Sequence, residues 1–378
     1  MRTRLQPAVR NNVASGRLLS IDALRGFDML LISGLGMALS GFCRLFPGGA
    51  ESWVARQFRH VKWEGLAFWD TIFPLFIFLA GASYSFSFAR QCARGDTLWA
   101  IHRRILKRMF ALVLLGMVYN GLLQFDFSDF RYASVLGKIG VAWAVAALTY
   151  VHFGVRVRIG IIVALLVGYW ALLTIPAPDA PMGFGPWTAE GCFPGYLDRI
   201  GFTPGHLYEK DVLEPSGLPV SALGSSATAM LGMVAGDILR KGGTASARKS
   251  AMLAAVGVCL ILAGLGISIG CPVVKKLWTP SFTLLTGGYS FLVLALFHWV
   301  IDVHGCTRWC FFLRVVGVNA VTVYMFNRIV DCTSVSQFFL GGVAKWFPDP
   351  HFAIGLGVLA LSWGFCWFLD CHRLYLKV

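Results

Sequence analysis

Apolar residues in this chain run in blocks of about twenty with few charges, and that feature constrains the fold more than any other. A helix needs roughly 20 mostly apolar residues to cross a hydrocarbon core about 30 Å thick. Ten stretches meet that length, at roughly 21–41, 66–89, 105–123, 132–151, 157–175, 221–239, 250–270, 280–301, 312–330 and 351–370. Backbone in lipid has to satisfy its own hydrogen bonds, so such stretches fold as helices. The expected fold is an all-α integral membrane protein, a single bundle of about ten transmembrane helices, with both termini on one side because ten is even. The bundle occupies 21–370, with tails at 1–20 and 371–378 and long external segments at 42–65 and 176–220. Composition agrees, since 57% of the 378 residues are hydrophobic and only 14% charged.

The net charge of +14 raises the question of nucleic acid, and the placement of the basic residues answers it. Lys and Arg concentrate in the tails and in alternate connections, as cytoplasmic loops do. Arg90, Arg94, Arg103, Arg104, Lys107 and Arg108 share one loop, and Arg240, Lys241, Arg248 and Lys249 share another. The basicity therefore records topology, places both termini in the cytoplasm and argues against a nucleic-acid partner. The first apolar block is too long for the core of a cleavable signal and reads as a retained helix. Ten cysteines are scattered without His or acid partners at metal-ligand spacing, so they read as packing residues and no metal is expected.

Four groups of residues carry chemistry. Ser20, Asp22, Arg25 and Gly26 open the first span, with Ser20 a plausible N-cap and Asp22 and Arg25 spaced to pair on one face. Deeper in that span lies Asp28, a carboxyl whose cost in lipid makes it a substrate-binding candidate. The run His60-Val-Lys-Trp63-Glu64-Gly-Leu-Ala-Phe-Trp-Asp70-Thr-Ile-Phe-Pro74 leads from an external loop into the second span. His60 is the type of group that takes up a proton near neutral pH, and Asp70 sits where a helix dipole favours a carboxylate. The cytoplasmic guanidinium and ammonium groups can hold phosphates. Lys138, Asn319, Thr322, Tyr324, Asn327, Arg328 and Trp278 place polar groups in or beside later spans, where they face a bundle interior.

The segments RLLSIDALRGFDML, FRHVKWEGLAFWDTIFPLFIFLAGASYSFSFAR, VLGKIGVAW, KKLWTPSFTLLTGG and GVNAVTVY, in that order, resemble the transmembrane acyltransferases related to heparan-α-glucosaminide N-acetyltransferase. The resemblance extends over nearly all of 17–370 and is strongest to bacterial members described as N-acetylglucosamine-related inner-membrane proteins. It implies an acyltransferase of the bacterial inner membrane that moves acetyl from cytoplasmic acetyl-coenzyme A to an amino sugar on the periplasmic side. His60 matches the family's active-site histidine. On this reading His60 and Asp70 are catalytic. Arg25, Arg90, Arg94, Arg103, Arg104, Lys107, Arg108, Arg240, Lys241 and Arg248 hold acetyl-coenzyme A. Asp28, Trp63, Glu64, Lys138, Trp278, Asn319 and Tyr324 meet the acceptor. Cofactor phosphates at the inner face and a thioester near His60 require a shaft through the bundle. A sugar transporter and a non-catalytic acetyl-coenzyme A-binding protein remain as alternatives, and the lipid-facing surface leaves room for a homodimer.

Overall fold

The structure, a computed structural model, describes residues 18–127, 130–207, 221–242 and 245–376. Glu209, Asp211 and Glu214 of the second external segment and most of the N-terminal tail lie outside the described residues. The described chain is helical, with isolated bridges and no strands.

The helices are α1 (Leu19–Leu30), α2 (Gly36–Cys43), α3 (Trp53–Gln57), α4 (Phe68–Ala93), α5 (Leu98–Tyr119), α6 (Val135–His152), α7 (Val155–Leu173), α8 (Phe193–Gly201), α9 (Ala222–Arg240), α10 (Ala247–Ser268), α11 (Pro280–Phe297), α12 (Cys310–Val318), α13 (Ala320–Ile329), α14 (Cys332–Ala344) and α15 (His351–Cys371). Eight helical segments among the described residues are long and apolar enough to cross a membrane, and the bent pair α12–α13 makes a ninth. The expected third span, 105–123, is the exception. It falls in α5, a helix of 22 residues whose first half carries Arg103, Arg104, Lys107 and Arg108, so it has the length for a span but not the composition.

Two spans are broken where the sequence suggested continuity. Between α1 and α2 the helix widens over Leu31–Leu35, where Gly34 takes φ +113°, a left-handed value that glycine adopts without strain. Between α12 and α13 the axis turns by 73° at Asn319. Unwound backbone at membrane depth is tolerated where it is enclosed by protein or lines a cavity, and Asn319 lines one. Pro74, by contrast, sits within α4 without ending it. Ser20 lies inside the first turn of α1 rather than capping it, because the helix begins at Leu19 with Leu18 as its cap.

Small residues set the packing. A Cβ built on Gly317 would fall 1.9 Å from the Asp22 carbonyl oxygen, and one on Gly26 1.8 Å from that of Leu313, so α1 and α12 touch backbone to backbone. Gly81 and Gly232 bring α4 and α9 equally close. Lipid tails offer no hydrophobic drive to helix association, so close van der Waals packing at small residues does that work. The largest buried cluster, including Phe78, Trp143, Met230, Phe282 and Phe291, lies where α4, α6, α9 and α11 meet. The faces of α7 and α10 carrying Val163, Val167, Leu262 and Leu265 are exposed and apolar, as a lipid-contacting face should be.

Candidate active site

The N-terminal end of α4 is built around Asp70. This residue occupies the third position of the helix, and its Oδ2 accepts from the backbone N–H groups of Ala67 (3.2 Å) and Val61 (3.3 Å). The carboxylate thereby satisfies otherwise orphaned donors at the helix start. Its Oδ1 meets His60 Nδ1 at 2.7 Å and Lys275 Nζ at 2.9 Å. Asp70 is 1% exposed while the His60 side chain is 57% exposed, so a buried anion orients an accessible imidazole.

Lys275 arrives from far along the chain. Gly65 N–H donates to the Val273 carbonyl at 2.8 Å and Glu64 pairs with Val274 in an antiparallel bridge, which aligns the loop before α4 with the loop before α11. Burial draws the Lys275 ammonium below the usual lysine range, against the opposing pull of the Asp70 carboxylate.

The contacts assign the His60 tautomer. Nδ1 lies 3.0 Å from Lys275 Nζ as well as 2.7 Å from Asp70 Oδ1. A carboxylate can only accept and an ammonium can only donate. If Nδ1 accepted from Lys275, two lone-pair atoms would face each other across the shorter contact. Nδ1 therefore carries a proton toward Asp70, and in the neutral ring Nε2 presents the lone pair. A base oriented by a buried carboxylate is the arrangement that general-base chemistry needs.

His60 and Lys275 line a cavity of about 300 Å³ with Asp28, Trp69, Phe73, Phe76 and Tyr324. Toward the other end of α4 lies a second cavity of about 300 Å³, lined by Asp22, Arg25, Arg90, Arg108, Ser83 and Asn319. Phe76, Ile139, Ala320 and Val321 line both, so the two cavities share a wall. In the inner one Arg25 Nη2 donates to Ser83 Oγ at 2.6 Å and Arg25 Nη1 lies 3.6 Å from Asp22. The Arg108 guanidinium stacks over the Trp143 ring at 4.3 Å, and its Nε makes no hydrogen bond. Asn319 donates to the Val315 carbonyl at 3.3 Å and leaves its Oδ1 unpartnered. A third cavity, of about 380 Å³ and lined in part by Ser40, Arg44, Asn327, Asp331 and Thr333, meets the His60 cavity at Ile32 and Trp69.

Heparan-alpha-glucosaminide N-acetyltransferase of Homo sapiens is 26% identical to this chain over 385 residues, covering 86% of the chain and 55% of that protein. The Mus musculus protein of the same name is 26% identical over 381 residues, with the same coverage. The chain is a distant relative of these N-acetyltransferases. It spans about half the length of the curated relatives it matches. No family model matches it.

Against that relationship, the expected site residues divide. His60 and Asp70 are in contact, and Asp28 and Tyr324 line the same outer cavity as His60. Of the ten basic residues expected to hold phosphates, Arg25, Arg90 and Arg108 line the inner cavity. Arg94 and Arg104 instead pair with Asp96 in the α4–α5 turn. Arg103, Lys107, Lys241 and Arg248 are on the surface, and Arg240 pairs with Asp237 at 3.6 Å. Trp63 donates from Nε1 to the Trp187 carbonyl at 2.6 Å and ties the two external segments together, while Glu64 is an exposed bridge residue. Lys138 lies 4.3 Å above the Trp278 ring and 5.9 Å from the Phe73 ring, and Trp278 packs edge-on against Phe73 at 5.1 Å and donates to Thr228 Oγ1 at 3.1 Å, so both stand behind Phe73, a wall residue of the His60 cavity, without lining that cavity themselves. Asn319 faces the inner cavity rather than the acceptor side. The cysteines are mixed: Cys192, Cys271, Cys310, Cys332 and Cys366 are buried, whereas Cys92, Cys259, Cys306 and Cys371 are exposed. The site residue not singled out in the sequence is Lys275, although it opens the segment KKLWTPSFTLLTGG that carries part of the family resemblance.

Proposed function

We propose that this protein is a membrane acetyltransferase that moves an acetyl group from acetyl-coenzyme A, supplied on the cytoplasmic side, to the amine of a glucosamine-type sugar on the opposite, periplasmic side of a bacterial inner membrane. The observation that carries the proposal is the shared wall between the Arg-lined inner cavity and the His60 cavity. Asp70 and Arg90 stand twenty residues apart on α4, about 30 Å at 1.5 Å per residue, which is the thickness of the hydrocarbon core. Ser83, which Arg25 meets, stands only thirteen residues from Asp70, about 20 Å, so a donor with its phosphates between Arg25 and Arg90 has to extend roughly 20–30 Å to bring its thioester to His60, and a pantetheine arm suits the shorter end of that range.

At the outer end, His60 Nε2 takes a proton from the acceptor nitrogen as that nitrogen, in its free-base form, bonds to the thioester carbonyl carbon. The C–S bond breaks, and the sulfur leaves with the proton returned from the imidazolium. Asp70 holds the ring in its working tautomer, and Lys275 places positive charge beside the oxygen that becomes negative on attack. The relatives are heparan-alpha-glucosaminide N-acetyltransferases, which supports an amine as acceptor.

The deciding experiment is acetyl transfer by the purified protein in lipid, from labelled acetyl-coenzyme A to a panel of amino sugars, comparing wild type with His60→Ala. Acceptor-dependent turnover in wild type and its loss in the variant is the expected result. Equal turnover in both removes His60 from the mechanism, and label fixed covalently on His60 by the donor alone replaces direct transfer with a two-step route. Sugar uptake without acetyl-coenzyme A would point to a transporter instead.

A further inference from the structure

Asp28 is the unexplained group of the outer cavity. It lies in the span formed by α1 and α2, is 1% exposed, and neither carboxylate oxygen has a hydrogen-bond partner. It nonetheless lines the cavity that holds His60. A carboxyl in a span is costly, and such groups normally face a partner, a pathway or a ligand. The cation that lines this cavity and the one a turn earlier on α1 are engaged elsewhere: Lys275 with Asp70 at 2.9 Å, and Arg25 with Ser83 at 2.6 Å and Asp22 at 3.6 Å. Around Asp28 the cavity wall is largely apolar, with Met29, Ile32, Phe73 and Phe76. A lone carboxyl in an apolar wall ionises only against a ligand that brings both positive charge and donors, and a primary ammonium brings three donors.

We propose that Asp28 anchors the ammonium group of the acceptor, and so is the residue by which the cavity admits amines and lets the amide product go. The proposal rests on the acetyl-transfer reading of the His60 cavity and adds a specificity determinant to it. Acetylation turns a cationic nitrogen into a neutral amide, so the product loses the contact that held the acceptor. An amine is thereby favoured over a hydroxyl acceptor, which carries no charge to pair with Asp28. Affinity is the property assigned to Asp28: the bound ammonium gives up one proton to solvent before attack, and the free base so formed passes its second proton to His60 as it bonds to the carbonyl carbon.

The test uses the full chain in lipid nanodiscs without acetyl-coenzyme A. Glucosamine and N-acetylglucosamine are titrated separately at a pH where the amine is protonated. Wild type is expected to bind glucosamine roughly tenfold to a hundredfold more tightly, the worth of a hydrogen-bonded charge. Asp28→Asn, which keeps the shape, should bring the two affinities together, and Asp28→Glu should keep a preference. The Asn variant exchanges one unpartnered buried polar group for another of the same size, so a thermal midpoint close to that of wild type certifies its fold. No preference in wild type, or a preference that survives in Asp28→Asn, overturns the proposal. In turnover, Asp28→Asn should raise the KM for acceptor and leave that for acetyl-coenzyme A unchanged; a raised donor KM alone would assign Asp28 to the pantetheine amides instead. Normal acetyl transfer with an unaltered binding ratio removes the Asp28 anchor and keeps the transferase. An intact ammonium preference without acetyl transfer to any amine does the reverse.

Discussion

Lys275 Nζ stands 2.9 Å from the Asp70 carboxylate, although 205 positions separate the two residues in sequence. The contact compensates a carboxylate that is 1% exposed. Lys275→Gln removes that compensation, and breaking a buried pair by deleting one partner costs roughly 3–5 kcal/mol. Asp70 keeps His60 and two backbone donors, so a loss of about 2 kcal/mol is expected in chemical denaturation. A change within experimental scatter would show that Lys275 contributes no stability there.

The same lysine sets an alkaline limit. Its folded value lies below the usual one, with burial as the cause and Asp70 opposing. Between the folded and unfolded values the folded protein binds fewer protons, so this group's own contribution to stability rises with pH across that window. The positive charge beside His60 is lost over the same window. Activity is therefore expected to decline on the alkaline side before an exposed lysine would titrate. Lys275→Arg, whose guanidinium stays charged, should retain activity to higher pH, and superimposable alkaline limbs would acquit Lys275.

Asp70→Asn keeps the size of the side chain and removes the charge that fixes the His60 tautomer. A drop in kcat of about 10²- to 10⁴-fold is expected, the range for a positioned base and its orienting carboxylate. The KM for acetyl-coenzyme A should hardly move, because the inner cavity is untouched. A rise in donor KM with kcat preserved would place Asp70 in binding instead.

Much of this architecture was legible in the chain, and the reasons differ by feature. Apolar blocks revealed most of the helices because lipid allows little else. His60 and Asp70 stood out because ten residues separate them across a helix start, so local structure alone joins them. Lys275 was hidden because long-range pairing, Glu64 with Val274 and Gly65 with Val273, brings its loop to α4. The 73° turn at Asn319 was hidden as well, since residues 312–330 read as one apolar run. Charge alone could not sort the basic residues, because the bias that sets topology and the guanidinium groups that line a cavity draw on the same residue types.

That sorting is itself testable. Arg90 and Arg108 line the inner cavity, whereas Arg103 is on the surface and Arg104 pairs with Asp96. Each charge-assisted contact is worth about 1.5–3 kcal/mol, so Arg90→Gln and Arg108→Gln should each weaken acetyl-coenzyme A binding roughly tenfold or more. Arg103→Gln and Arg104→Gln should leave it unchanged. Titration calorimetry in nanodiscs reads both, and equal effects across the four variants would mean that the donor senses the general basic face rather than the cavity.

Gly317→Ala tests the packing that frames the inner cavity. Its Cβ would fall 1.9 Å from the Asp22 carbonyl oxygen, with backbone on both sides of the contact and no flexible side chain to yield. Forced separation of α1 from α12 should cost at least the roughly 1–3 kcal/mol of ordinary overpacking and displace Arg25 from the cavity. Gly168→Ala on α7, which meets nothing within 4 Å, is the matched control. Equal thermal midpoints for the two variants would contradict the backbone contact.

Ala320 lies on the wall common to the two cavities, at the first position after the bend in α12–α13. Ala320→Phe would intrude on the passage while leaving Arg90, Arg108, His60, Asp70 and Lys275 in place. Coenzyme A should still bind through its phosphates, because Arg25, Arg90 and Arg108 are untouched, and glucosamine should still reach the His60 cavity. Turnover should fall by more than about a hundredfold, since a misplacement of only 1 Å in reacting geometry costs that much. Retained binding of both partners with lost transfer is the signature of a closed passage. Retained transfer would mean that acetyl reaches His60 by another path, and the shared wall would then be packing rather than route.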